Sequence, residues 1–130
     1  MANYKTTDQI LVIVFGLMSS ITKPKYLIEK PTGKPGDTEV PEYVVINSLG
    51  INADTMQKCM INVNYHVKDI APGVPDLTKI QSGSSSVLAI LKKVSTTSYL
   101  IDFEGQEIIK EPALNEHFSN MRFSFKNINT

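Results

Sequence analysis

CMINVNYHVK, residues Cys59 to Lys68, alternates apolar and polar side chains without a break. Successive side chains of an extended strand point to opposite faces. Cys59, Ile61, Val63, Tyr65 and Val67 therefore share one face, and Met60, Asn62, Asn64, His66 and Lys68 share the other. One face suits a core and the other suits water or a partner. The polar face carries amides and an imidazole but no carboxylate, a set made for contacts rather than for catalysis.

Upstream of this strand, Tyr43 to Leu49, YVVINSL, reads as a largely buried strand, and Gly50 to Thr55 as the turn region between the two. Lys25 to Lys30, KYLIEK, is a short strand, and PTGKPGDTEVPE at 31–42 is a loop or hairpin arm rich in proline and glycine. Three strands joined by short links predict an antiparallel meander. Before them, Thr6, Thr7 and Asp8 supply capping oxygens for a first helix running to about Ser20, and Pro24 ends it. Ile10, Val14, Leu17 and Ile21 form one stripe of that helix. Leu11, Ile13, Phe15 and Met18 spread round the rest, so it needs cover on more than one side.

Downstream, APGVPD breaks the pattern, and Asp76 caps a second helix whose apolar positions are Leu77, Ile80, Val87, Leu88, Leu91 and Val94. The small residues of Gln81 to Ser86 lower its helix propensity but allow close approach to a sheet. Tyr99–Phe103 and Gln106–Lys110 flank Glu104-Gly105 as a hairpin, and Met121–Lys126 is a last alternating strand. The expected fold is α+β: one domain spanning 1–130, two helices covering one face of an antiparallel sheet, in the order α-β-β-β-α-β-β-β.

The chain has 130 residues with 13 basic and 13 acidic side chains. There is no net field to draw in nucleic acid or an anionic membrane. Its one cysteine, Cys59, cannot form an internal disulfide and lies on the core face of a strand, which fits a reducing compartment. The apolar run Ile10–Met18 is too short to span a bilayer. With Asp8 just upstream, Lys5 the only preceding basic residue and a poor cleavage pattern, it reads as a helix rather than a signal peptide.

Chemical sites are disfavoured one by one. Cys59 and His66 project from opposite faces of one strand and lie on the order of 23 Å apart, which excludes a dyad. His117 sits beside Glu116 as a loop histidine. One cysteine and two histidines lack metal-ligand spacing. Gly33-Lys34-Pro35-Gly36 lacks the spacing of a phosphate loop, and its prolines remove the amides that would hold a phosphate. Asp102 and Glu104 read as a charged edge. Lys23, Lys25, Lys30 and Lys34 with Tyr26 form a basic cluster diluted by Glu29, Asp37, Glu39 and Glu42. The expectation is a non-enzyme without cofactor, metal or dedicated nucleic-acid or membrane partner.

The chain resembles the tail terminator, or tail completion, proteins of long-tailed bacteriophages and prophages. The resemblance lies in the apolar first helix ending before KYLIEK, PEYVVINSL after the proline-rich arm, QKCMINVNYHVKDI, DLTKIQ…SVLAILKKV and the closing EHFSNMRFSFKNIN. It spans nearly the whole chain as a likeness of order and texture. It implies a small α+β subunit of the virion tail, assembled in the host cytoplasm. Such a subunit forms a hexameric ring on the tail tube protein, stops tube polymerisation and presents a surface to the head–tail connector. Interface candidates are Lys34, Asp37 and Glu39 in the arm and Asn62, Asn64, His66 and Lys68 on the strand. The alternatives are another head-to-tail joining subunit, or a small ligand-binding domain using His66 with Asn62 and Asn64.

Overall fold

The computed structural model describes residues 4–29, 41–51 and 57–128. Its centre is the strand that the alternation of Cys59–Lys68 requires, here running Gln57–Lys68 and numbered β3. Cys59, Ile61, Val63, Tyr65 and Val67 are all buried. Antiparallel neighbours place directly opposed residues on the same face. β2, Glu42–Ser48, sets Val44 opposite Tyr65 and Ile46 opposite Val63. On the other flank β6, Glu116–Asn127, sets Met121, Phe123 and Phe125 opposite Val63, Ile61 and Cys59. These three strands make the floor of the core.

The six-stranded sheet has the order β1-β2-β3-β6-β5-β4, with β1 at Lys25–Leu27, β4 at Lys93–Ser95 and β5 at Tyr99–Glu111. The fold is α+β in the expected element order, but the sheet is mixed rather than purely antiparallel. β1 runs parallel to β2, pairing Lys25 with Val44 and Leu27 with Ile46. A parallel pair needs a longer link than a hairpin, and residues 28–41 supply it. The β1–β2 register ends at Leu27; Ile28 N still donates to Ile46 O at 2.7 Å, but Ile28 takes the left-handed backbone region, φ 73°, where a β-branched side chain is strained.

The strands after the second helix also differ from the sequence reading. Lys93–Ser95, which the helical spacing of Val94 assigns to the helix end, is β4. Tyr99–Phe103 and Gln106–Lys110 are one strand, β5, because β6 offers a continuous edge along its whole length. Glu104-Gly105 is a bulge rather than a turn: the register passes from Phe103 opposite Phe123 to Gly105 opposite Arg122, leaving Glu104 as the extra residue. β6 begins at Glu116, not Met121, after a short 3₁₀ turn at Pro112–Leu114 closed by Asn115 in the left-handed region.

Helix α1, Thr7–Leu17, opens with a capping box. The Gln9 side chain accepts from Thr6 N at 2.8 Å, and Thr6 Oγ1 accepts from Gln9 N at 3.4 Å. It buries Ile10, Leu11 and Val14, with Met18 just beyond its end. Ile13, Phe15 and Leu17 are half covered by the same core, while Val12 stays 60 % exposed. Buried Gln57 and Asn127, opposed at the end of the β3–β6 ladder, anchor the entry to α1. Gln57 Oε1 accepts from Lys5 N at 2.9 Å, and Asn127 Oδ1 accepts from Lys5 Nζ at 2.8 Å.

Helix α2, Leu77–Leu91, is capped by Asp76, whose Oδ1 accepts from Lys79 N at 3.2 Å. Ile80, Gly83, Ser84, Val87 and Leu91 face the sheet, whereas Leu77 is exposed. Both helices share one core with a single face of the sheet. Gly83 sets the approach of α2, since a Cβ there would lie 2.2 Å from the Tyr65 ring. Next to it Ser84 Oγ donates to Ser119 Oγ at 2.8 Å, and Gln106 Nε2 donates to the same oxygen at 2.7 Å. No helix among the described residues is long and apolar enough to cross a membrane.

A matched pair of glycine substitutions tests this packing. Gly83→Ala should destabilise by about 1–3 kcal/mol, the cost of overpacking. Gly16→Ala, where nothing lies within 4 Å of the new methyl group, should stabilise by about 0.5–1 kcal/mol. Thermal unfolding of the two variants should shift in opposite directions.

Candidate functional site: the open face of the sheet

The face of the sheet away from the helices is built row by row from the alternate residues of β2, β3, β6 and β5. One row is Tyr43, His66, Phe118 and Ile109; the next is Val45, Asn64, Asn120 and Glu107; the next is Asn47, Asn62, Arg122 and Gly105. Each row crosses four strands. The first is largely aromatic and the other two are mostly polar, so the face has two distinct halves.

The polar half is an amide ladder. Asn62 Nδ2 donates to Asn47 Oδ1 at 3.1 Å, and Asn120 Nδ2 donates to Asn64 Oδ1 at 2.6 Å and to Asn62 Oδ1 at 3.3 Å. Arg122 Nη1 donates to Asn120 Oδ1 at 3.1 Å and to Glu107 Oε1 at 3.4 Å. Four amides and a guanidinium thus hold one another across the sheet. Asn47, Asn62, Asn64, Asn120 and Arg122 are all half-buried, so their remaining donors and acceptors are within reach of solvent.

The aromatic half is closed. His66 is buried and stacks on Tyr43 with ring centroids 4.5 Å apart and on Phe118 with 4.6 Å. Its Nδ1 lies 3.2 Å from Glu116 Oε1, and Tyr43 Oη donates to that same oxygen at 2.6 Å. A carboxylate partner requires the proton on Nδ1. Glu116 is itself buried, and these two donors compensate its lost hydration. Burial, together with the hydrogen bond and charge of Glu116, drives the Tyr43 phenol far above its ordinary range.

Asn62 and Asn64 therefore lie together in the ladder. His66 lies apart from them in a packed stack, and Lys68 is exposed at the end of β3, opposite Glu116. Lys34, Asp37 and Glu39 fall outside the described residues. The sequence reading misses Asn47, Asn120, Glu107, Tyr43, Phe118 and Glu116. Asn120 and Phe118 escape it because its last strand starts at Met121; it turns Arg122 outward but gives it no partner. The remaining positions are joined only by strand register.

The other sites weighed from sequence are dispersed. Cys59 Sγ donates to Leu49 O at 3.2 Å on the core side, and burial pushes its thiol up. His117 is not a free loop histidine: it lies on β6 with Nδ1 2.6 Å from Asp69 Oδ1. Asp102 faces Ser124, whereas Glu104 sits in the bulge. Lys23 pairs with Glu42 at 3.2 Å, and Lys25 Nζ donates to Ile21 O at 2.5 Å. Among the described residues no group of three or more His, Cys, Asp or Glu could hold a metal ion.

No family model matches the sequence, and no curated protein matches it. The functional reading therefore rests on the geometry of the open face.

Two of the five tyrosines are tied to carboxyl groups away from bulk water. Tyr65 Oη donates to Glu42 Oε1 at 2.9 Å, and its phenol is likewise raised, by burial and then by that bond. Raised folded-state values contribute stability that is complete below the unfolded phenol value, about 10, and is lost as pH climbs above it; the raised Cys59 thiol acts in the same direction from about 9. Stability should thus fall steeply above pH about 10. Tyr43→Phe should make that fall shallower, as read by chemical denaturation across the alkaline range. The tyrosinate absorbance of the native protein should show two phenols that ionise only on unfolding.

Proposed function

We propose that this protein is a non-enzymatic virion assembly subunit: a tail terminator that forms a ring on the end of the tail tube of a long-tailed phage, stops its polymerisation and offers the surface to which the head connector joins. The observation that carries this reading is the amide ladder. Asn47, Asn62, Asn64, Asn120 and Arg122 present an ordered row of donors and acceptors on the open face. Such a row supports direct and water-bridged contacts to another protein surface. It is preorganised by its own hydrogen bonds, which lowers the entropy cost of docking.

The partners in this reading are further copies of the chain, the tube protein and the connector, assembled in the host cytoplasm and carried in the virion tail. The half-covered α1, with Val12 exposed, supplies an apolar contact of the kind a neighbouring subunit covers. The small-ligand alternative is weakened by His66: its ring is held on both faces and bonded to Glu116, so it is not presented beside Asn62 and Asn64.

Purified protein added to polymerising tail tubes should cap them at one end and halt elongation, as seen by electron microscopy. Tubes that lengthen unaffected and carry no bound protein would overturn the proposal. Lys68→Glu sets a second carboxylate opposite Glu116 and should cost about 0.2–1 kcal/mol, and Asn64→Ala should cost about 1 kcal/mol. Both variants should remain folded and lose capping. Retained capping in both would remove the open face from the interface. Capture by isolated connectors rather than tubes would instead assign the protein to head-side joining.

A further inference from the structure

The two margins of the sheet are unequal. At one margin β1 is only three residues long. At the other, β4 pairs with β5 only from Lys93–Asp102 to Ser95–Leu100, with one further bond at each end, Phe103 N to Lys92 O and Thr96 N to Tyr99 O, both at 3.0 Å. Beyond the bulge β5 continues to Glu111 bonded to β6 on one side. Among the described residues no strand pairs with its other side there. Alternation fixes which groups face outward. Tyr99, Ile101 and Phe103 turn their backbone groups toward β4; the bulge shifts the phase by one, so those of Gln106, Ile108 and Lys110 point away from β6.

An open strand margin of this length is a template for another strand. The sequence along it, Gln106-Glu107-Ile108-Ile109-Lys110, is self-complementary. Consider two copies of β5 laid antiparallel about a two-fold axis perpendicular to the sheet. Faces match only when paired residue numbers sum to an even value. The register centred on Ile108 sets Ile108 against its own copy and Gln106 against Lys110, so all three outward residues of each strand bond. On the opposite face it sets Glu107 against Ile109 and Gly105 against Glu111. No like charges oppose each other. The neighbouring register, centred on Glu107, would oppose two carboxylates. Ile108, 46 % exposed, would gain an apolar partner at the axis.

We propose that the free margin of β5 binds a second copy of this chain through antiparallel β5–β5 pairing centred on Ile108, joining the two sheets into one. The pairing does not depend on the tail-terminator reading. It ends where Pro112, which has no N–H, starts the 3₁₀ turn.

The register makes a sharp test. Paired residues in a hydrogen-bonded antiparallel position have Cα atoms about 5.5 Å apart, within disulfide range. Ile108→Cys should therefore crosslink to itself under mild oxidation. Gln106→Cys and Lys110→Cys should each fail alone and crosslink when mixed. Buried Cys59 stays inert in all of them. Sedimentation of the unmodified chain should show a concentration-dependent dimer. Ile108→Pro removes an outward donor without touching the β6 ladder, and should raise the dimer Kd about tenfold or more while preserving the circular dichroism of the fold. A monomer at all concentrations with no Ile108→Cys crosslink would overturn the proposal. So would self-crosslinking at Gln106 or Lys110 in place of Ile108.

Discussion

Gln57 lies opposite Asn127 and Lys68 opposite Glu116, and the β3–β6 ladder between those ends is the constraint on which both faces of the molecule depend. Side chains of a strand have period two, so a slip of one residue would carry Phe123, Phe125 and Met121 to the open face and Asn120, Arg122 and Ser124 into the core. Burying those polar groups without partners costs several kcal/mol in all. Core and open face are therefore one decision made twice. The same ladder that puts Phe123 over Ile61 puts Asn120 opposite Asn64.

The helices act on this sheet through two different devices. α1 is held from its start, by the capping box and by the Gln57–Asn127 pair that binds Lys5, and then by Ile10, Leu11 and Val14. α2 is held at its middle, where the missing side chain of Gly83 admits the Tyr65 ring and Ser84 reaches Ser119. Tyr65 thereby ties α2 to two strands, since its ring lies under the helix and its hydroxyl donates to Glu42 at the start of β2. Close approach at one glycine sets how tightly the second helix covers the central strands.

Elements with a strong local period were legible in the sequence: β3 from Cys59–Lys68, β2 from YVVINSL, α2 from Asp76 onward, and the capped start of α1. Features set by distant partners were not. Nothing local distinguishes the Glu104-Gly105 bulge from a hairpin turn, because both use glycine; β6 decides by running straight past it. The parallel setting of β1 depends on the course of the chain after Leu27, not on KYLIEK itself. The candidate site divides the same way. Asn62 and Asn64 stand out through their spacing on one strand, whereas Asn47, Asn120 and Glu107 join them only through registers between strands far apart in the chain. Glu116 is the chain neighbour of His117, yet alternation turns it to the other face, toward His66 and Tyr43.

The open face pairs a fixed half with an adaptable one. Around Glu116 the stacked rings of Tyr43, His66 and Phe118 exclude water, and a carboxylate that accepts two hydrogen bonds at low dielectric resists displacement. The amides beside it are ordered mainly by neutral hydrogen bonds to one another, each worth only about 0.5–1.5 kcal/mol net, and can exchange them for bonds to a partner at little cost. An interface built there would take its orientation from the rigid half. Its specificity would come from the amides, whose donors and acceptors must each find a match or stay desolvated and unpaired. In the proposed assembly role, that division would let the face dock on a repeating protein surface with a fixed orientation.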